Sequence, residues 1–283
     1  MSIIDYGRDY RVLVSVKGHP YPRDAFFGML ESLDDMAFTA VEQPATQRLL
    51  SPESAAAYSA VLFYDMPGID FSTQPPRLVA PAEAFQRDFL ELLEQGKGMV
   101  FLHHAIAGWP LWPEYAEVVG GRFLYLPGEL RGETCPDSGY RHAVDYQARV
   151  LAPHPVTDAV ATHFSVSDEL YLYQVFSESV EPLLASDYCF DREHFFSAQR
   201  AVNGQLYSRE DWQHPQGSHL IGWVKHYRNS PVVYLQPGDD TAVYDNSEFR
   251  RLLHNALRWV GSDAAHEWAR IRYQEQRQTA DRP

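Results

Sequence analysis

Cysteine is scarce in this chain, with two in 283 residues, Cys135 and Cys189. Two cysteines outside any CxxC pair make neither a disulfide framework nor a paired-thiol metal or redox motif, and they fit a reducing compartment. Basic charge is also in short supply. Against 38 acidic residues stand 24 Lys and Arg, a formal net charge of −14. No basic footprint exists to neutralise phosphates, which argues against nucleic-acid binding and against docking on an anionic membrane. No apolar run approaches the roughly 20 residues that span a bilayer. The opening Met1–Tyr10 lacks the basic-then-apolar order of a secretory signal. The expectation is a soluble cytoplasmic protein. HExxH, GxGxxG, GxxxxGK[ST] and GxSxG are all missing, so the common metalloprotease, nucleotide-binding and serine-hydrolase signatures do not apply.

What is present is an ordinary globular balance, 45% hydrophobic and 22% charged, with enough length to bury a core. The apolar, β-branched runs 11–17, 37–43, 60–64 and 99–102 read as strands. Between them lie helical patterns: Asp24 to about Leu33, a short turn opened by Ser51-Pro52, and Ala82–Gln95 with Phe85, Phe89, Leu92 and Leu93 on one face. A helix after Trp109-Pro110 stops at Gly120-Gly121. This alternation predicts an α/β fold with a mostly parallel central sheet. Further strands are predicted at 140–151, 182–186, 220–227 and 231–236. A helix capped by Asn246 or Ser247 follows, and a charged terminal helix docks through Trp268 and Ile271. The polar segment 189–217 reads as a long excursion. One domain over 1–261 with an elaborated middle, then a helix and tail over 262–283, is the expected organisation.

Chemistry is expected where strands end, because ligands of parallel sheets gather at their carboxyl ends. Gly96–Leu102 is a buried strand delivering His103 and His104 to the next helix start. A histidine there suits acid–base work or metal ligation, since its pKa lies near neutrality. Neighbouring residues face opposite ways, so the two do not act as a matched pair. His19 and Asp65 end two other strands, and Asp168-Glu169 with Tyr171, and Asp239-Asp240 after Gly238, complete the candidates.

These pieces resemble the trehalose-utilisation, or ThuA-like, family over about residues 11–261. The carriers are Gly18-His19, Gly96-Lys97-Gly98 through His103, Gly120-Gly121-Arg122-Phe123 and His154-Pro155-Val156. Asp168-Glu169-Leu170-Tyr171, Gly222-Trp223-Val224 and a closing helix ending at Trp259 continue the series. The resemblance implies a class I glutamine amidotransferase-like fold, a flavodoxin-like three-layer sandwich. It places His103 where amidotransferases carry their cysteine nucleophile, which implies no amidotransfer. It further implies a role in carbohydrate metabolism. Where relatives carry Gly-His-Asp after the last strand, this chain has Gly238-Asp239-Asp240.

Three functions remain open at this stage. The first is an enzyme acting on a sugar or ketosugar. His103 would be its acid–base group and Glu169 the partner. His19, Asp65, His104, Asp168, Asp239 and Asp240 would line the site, with Trp109, Trp112, Tyr171 and Trp223 as aromatic platforms. The second is a non-catalytic binding or scaffold protein. The third is a metal-dependent hydrolase using His103, His19 and Asp240. A homo-oligomer is compatible with each, and the sequence names no cofactor.

Overall fold

A computed structural model describes residues 8–280. Ten strands among the described residues share one sheet. They are β1 (Arg11–Lys17), β2 (Ala37–Glu42), β3 (Ala60–Asp65), β4 (Met99–Leu102), β5 (Gly139–Val150), β6 (His163–Leu172), β7 (Glu181–Ser186), β8 (Phe196–Ser197), β9 (Leu220–Tyr227) and β10 (Ser230–Leu235). Their spatial order is β6-β5-β7-β9-β10-β4-β3-β1-β2, with β8 added beside β5. The half from β10 to β2 is parallel, and the half from β9 outward is antiparallel. The parallel half follows the flavodoxin-like order 2-1-3-4-5, in which the crevice lies outside the carboxyl ends of the strands.

The helices are α1 (Arg23–Glu31), α2 (Pro52–Ala55), α3 (Glu83–Glu94), α4 (Pro113–Val119), α5 (Ala198–Val202), α6 (Thr241–Tyr244), α7 (Ser247–Val260) and α8 (Asp263–Ala280). On one face Phe26, Met29 and Leu30 of α1 and Phe249, Leu252 and Leu257 of α7 cover Val12, Val14, Leu62 and Val100. On the other, Phe85, Phe89 and Leu92 of α3 and Tyr115 and Val118 of α4 cover Leu13, Val61, Phe63 and Phe101. Two helical layers over one sheet explain why Met99 to Leu102 are apolar at every position: all four are fully buried.

Several expectations shift. His103–Ala107 is a short 3-10 turn and not yet an α-helix, with Pro113 opening α4. The stretch containing Asp168 and Glu169 is the last half of a ten-residue strand, hidden from periodicity because its final five residues are buried on both faces. The excursion 189–217 carries β8 and α5 and buries Phe190, Phe195 and Trp212. On α8, Trp268 packs against Trp259 with ring centroids 5.3 Å apart, but Ile271 stays 44% exposed, on the solvent side of the helix. Residues 1–7 and 281–283, at the ends of the two expected segments, lie outside the described residues. No helix among the described residues is long and apolar enough to cross a membrane.

Candidate active site

β4 ends in a tight turn. His103 has φ +49, a left-handed conformation that costs a non-glycine residue about 1–2 kcal/mol, and such strain concentrates at functional positions. The turn is pressed from the next strand end by Gly238, whose φ is +145. A Cβ there would stand 3.0 Å from Leu102 Cγ and 3.4 Å from the Cβ of His103. Only glycine brings the 238–239 backbone this close. Gly18 does the same for β1: its φ is +106 and an added Cβ would meet the Met66 carbonyl oxygen at 2.3 Å. It delivers His19 to the same end of the sheet.

His103 is fully buried, and its Nδ1 lies 2.6 Å from the carbonyl oxygen of Gln236. A carbonyl only accepts, so Nδ1 carries a proton and donates it. Nε2 then faces the chemistry. It lies 3.1 Å from Glu169 Oε2, 3.5 Å from Asp239 Oδ1 and 2.7 Å from the Tyr171 hydroxyl, whose ring stacks on the imidazole at 4.6 Å. The second oxygen of Glu169, Oε1, lies 3.2 Å from Nδ1 of His142. Glu169 therefore joins two histidines, one sealed inside and one with its side chain 46% exposed.

Electrostatics follow this geometry. Burial opposes a charge on His103, but its contacts with Asp239 and Glu169 win and hold its pKa well above the usual imidazole value. Asp239, conversely, is held below the ordinary carboxylate value: burial works against it, and the contact with His103 outweighs burial. Asp168 is buried behind the pair, and its carboxylate accepts the backbone N–H groups of Gly238 at 2.6 Å and Asp239 at 3.0 Å. It orients the loop. Burial pushes its pKa up to about 7 despite His103 nearby and those two hydrogen bonds. Tyr64 and Tyr244 hold the same loop from below, the Tyr64 hydroxyl donating to the Gly238 carbonyl at 2.8 Å.

The expected residues thus divide. His103, Glu169, Asp239, Asp168 and Tyr171 come together. His19 borders them, close enough to feel Glu169, His103 and Asp239, with burial as the main force lowering its pKa. His104 points the other way: it is buried, stacks on His19 at 4.6 Å and packs on Tyr64, and burial keeps it neutral. It supports His19 from within the core. Asp240 caps α6, accepting from the Ala242 N–H at 2.8 Å, so the trio His103, His19 and Asp240 is not assembled.

Asp65 shares a face with Ser15 and Phe63 and is sealed beneath the crevice. Its Oδ2 accepts from Ser15 Oγ at 2.5 Å and Gln43 Nε2 at 2.6 Å. Of the expected aromatic platforms, Tyr171 stacks on His103, while the three tryptophans are buried in the inner layer. Trp109 packs on Phe85 and Trp112 on Phe89, while the fully buried Trp223 donates from Nε1 to the Val119 carbonyl. Large indoles satisfy the inner layer, and their apolar area decides their place. Arg122 of the Gly-Gly-Arg-Phe motif is buried too, and donates to the carbonyls of Gly108, Trp109 and Trp112, pinning the loop behind His103.

His142 is the residue that periodicity misses. β5 alternates, and its parity places His142 on the core face with Val144, Tyr146 and Ala148. The pairing with β6 shifts register between Arg141 and Val144, and Ala143 takes φ +53. This bulge re-aims His142 toward Glu169, as bulges beside active sites do. Around it stand Tyr140, with ring centroids 5.2 Å apart, and Tyr207 of the excursion at 6.4 Å, itself 59% exposed. Tyr125 completes the wall, its hydroxyl pKa raised by burial first and then by Glu169 and Asp239.

Asp65 makes a stability prediction. Burial pushes its carboxyl up to about 6 from an ordinary 3.8. The folded state therefore prefers the protonated form. That contribution is complete below pH 4 and is lost as pH rises through about 6. Asp65→Asn is neutral at every pH. Its stability relative to the parent should rise by up to roughly 3 kcal/mol between acidic and mildly basic pH. Denaturant unfolding of both proteins at the two pH values reads this, and a pH-independent offset contradicts it.

The sequence profile of a family described as trehalose utilisation, ThuA, matches residues 11–260. Among solved structures, a ThuA-like protein from Bacteroides uniformis ATCC 8492 superposes with a TM-score of 0.61 at 18% identity, covering 92% of this chain and 94% of that one. A ThuA-like protein from Parabacteroides merdae ATCC 43184 gives 0.60 at 16%, covering 89% and 90%. PurLQS from Thermotoga maritima shares the fold at a TM-score of 0.50 and 11% identity, over 89% of this chain and 99% of that one. No curated protein matches the sequence significantly.

Proposed function

This chain belongs to the trehalose-utilisation (ThuA) family, and from that premise we propose that it is an enzyme moving a proton beside the carbonyl of an oxidised sugar. A role related to carbohydrate metabolism comes with the family. The reaction is argued from one observation, the joining of His103 and His142 through the two oxygens of Glu169. A base oriented by a carboxylate, beside a positive charge at a second position, is what enolisation of a hydroxy-ketone requires.

His142 is the base, its ring held through Nδ1 by Glu169. It takes the proton from the hydroxyl-bearing carbon next to the carbonyl, the C–H electron pair becomes the carbon–carbon double bond, and the carbonyl pair moves onto oxygen to give an enediolate. That oxygen faces the positive charge that Glu169 and Asp239 hold at His103 Nε2. The adjacent hydroxyl passes its proton to that oxygen and becomes the new carbonyl as His142 returns its proton to the former carbonyl carbon, giving an isomeric ketosugar. Each proton transfer of this kind contributes about 10²–10⁴-fold in rate. Tyr140, Tyr207 and Tyr125 supply the aromatic faces for the sugar, and His19 borders its hydroxyls. The turn carries His103 and no cysteine. Cys135 lies in the hairpin strand Glu133–Cys135 and Cys189 is exposed on the excursion, which supports a reading without glutamine amidotransfer.

The test is proton exchange. Trehalose, glucose and their keto derivatives are incubated with the protein in heavy water and followed by proton NMR. Deuterium should enter at the carbon beside the carbonyl of a keto derivative and nowhere in the unoxidised sugars. Folded protein that exchanges none of them sinks the proposal. A non-catalytic binding role is favoured by one fact, the near-complete burial of His103 and Glu169, and saturable sugar binding without exchange would establish it.

Asp239 and Asp240 separate cleanly. Asp239→Asn keeps the volume and removes the charge beside His103, and turnover should fall about 100-fold or more. Asp240→Ala removes only a helix cap, costing about 0.5–1 kcal/mol of stability with turnover unchanged. Steady-state rates and melting curves of the two variants check both halves, and equal losses of turnover would refute the assignment.

A further inference from the structure

We infer that the positive charge at the centre is a divalent first-row metal ion, ligated by His103 Nε2, Glu169 and Asp239. The ligand atoms of these three side chains all lie within 4.8 Å of one another. The measured separations from Nε2 are 3.1 Å to Glu169 and 3.5 Å to Asp239. With metal–ligand bonds of about 2.1 Å, neighbouring ligands stand about 3.0 Å apart in an octahedron and about 3.4 Å in a tetrahedron. The two distances are those of adjacent vertices around one ion.

The tautomer supplies an independent argument. A metal-ligating histidine donates its other ring N–H to a carbonyl or carboxylate, which fixes the ring and leaves the free lone pair toward the metal. His103 does this with Gln236, and its lone pair points among the carboxylates. The loop is likewise prepared. Asp168 binds the N–H groups of Gly238 and Asp239 and so aims Asp239 at the centre. Two carboxylates, Glu169 and Asp239, face one buried imidazole, and a divalent cation balances their two charges better than a single proton does.

Tyr171 shares the lone pair of Nε2 at 2.7 Å. On metal binding its hydroxyl donates to Glu169 instead. One imidazole and two carboxylates suit zinc or manganese, and three protein ligands leave open positions, as catalytic sites do. Resting on the sugar reading, those positions take the adjacent carbonyl and hydroxyl oxygens of a hydroxy-ketone, while His142 remains the base on the far oxygen of Glu169.

The experiment strips the protein with chelator and titrates it with Mn²⁺ and, separately, Zn²⁺ by calorimetry, with thermal melting alongside. Among the described residues one other trio of ligand side chains exists, Cys189, Asp191 and His194 on the surface excursion, so Cys189→Ser serves as the control. One equivalent should bind and raise the melting temperature. Affinity should drop about 100-fold or more in Asp239→Asn and His103→Gln, each confirmed folded by circular dichroism, and stay unchanged in Cys189→Ser. No binding at millimolar metal, or binding that survives in Asp239→Asn and His103→Gln, overturns the inference. Deuterium exchange into a ketosugar that persists in chelator-treated protein overturns the metal and leaves the sugar reading standing. Specific metal binding without exchange does the reverse.

Discussion

His103→Ala should abolish turnover of the ketosugar, by about 10³-fold or more, while the protein still folds. The side chain touches four polar groups of the centre: the Gln236 carbonyl, Glu169, Asp239 and Tyr171. Removing it deletes the atom that holds the positive charge, whether proton or metal ion. A group that acts in proton transfer contributes about 10²–10⁴-fold, and here the loss includes stabilisation of the developing oxyanion. Stability should suffer less. The deletion leaves buried partners unsatisfied, at about 1–3 kcal/mol. Steady-state rates with a melting curve decide it. Activity within tenfold of the parent, in a folded sample, would place the chemistry elsewhere.

Trp223→Ala should give the opposite pattern, a large loss of stability with the centre intact. Trp223 lies on β9, completely buried. Its ring packs on Tyr234 at 4.5 Å, and its indole N–H donates to the end of α4 at 2.8 Å. Truncating a buried tryptophan costs about 3–5 kcal/mol through lost contacts and the cavity left behind. The orphaned Val119 carbonyl adds to this. Trp223→Phe should recover part of the packing but not the hydrogen bond. A sugar platform would behave differently, raising KM with no change in unfolding. Unfolding curves and KM measured on the folded fraction therefore distinguish core from platform, and a KM effect at unchanged stability would return Trp223 to the site.

Much of the centre was legible because strands advertise their ends. The run Met99–Leu102 is apolar throughout, so His103 marks a strand terminus by simple contrast. Asp239 follows a glycine after the last parallel strand for the same reason. Glu169 stood out as one of an acidic pair, although nothing local said which of the two faces His103. The pleat decides it. Adjacent residues of β6 point to opposite sides, so Glu169 meets His103 while Asp168 turns to the 238–239 backbone. Asp239 and Asp240 divide likewise, one beside His103 and one capping α6.

Trp109, Trp112, Trp223, His104 and Asp65 are all buried, and the sequence leaves this open for a shared cause. Residue type speaks of chemistry, and burial is a property of the assembled layers. Tryptophan is as suited to a sugar face as to a core, and only the packing of α3 and α4 on the sheet settled the choice. His142 was missed for a different reason. A one-residue bulge reverses which face a side chain occupies, and alternation in the sequence of β5 carries no mark of it.

The sequence by itself determined the α/β layering, through apolar runs and helical spacing, and it set His103 at a strand end. The tertiary structure alone decided which side chains converge there. Joining Glu169, Asp239 and His142 around one imidazole requires strands far apart in sequence to lie side by side in a particular order and register, and that order is a property of the folded sheet.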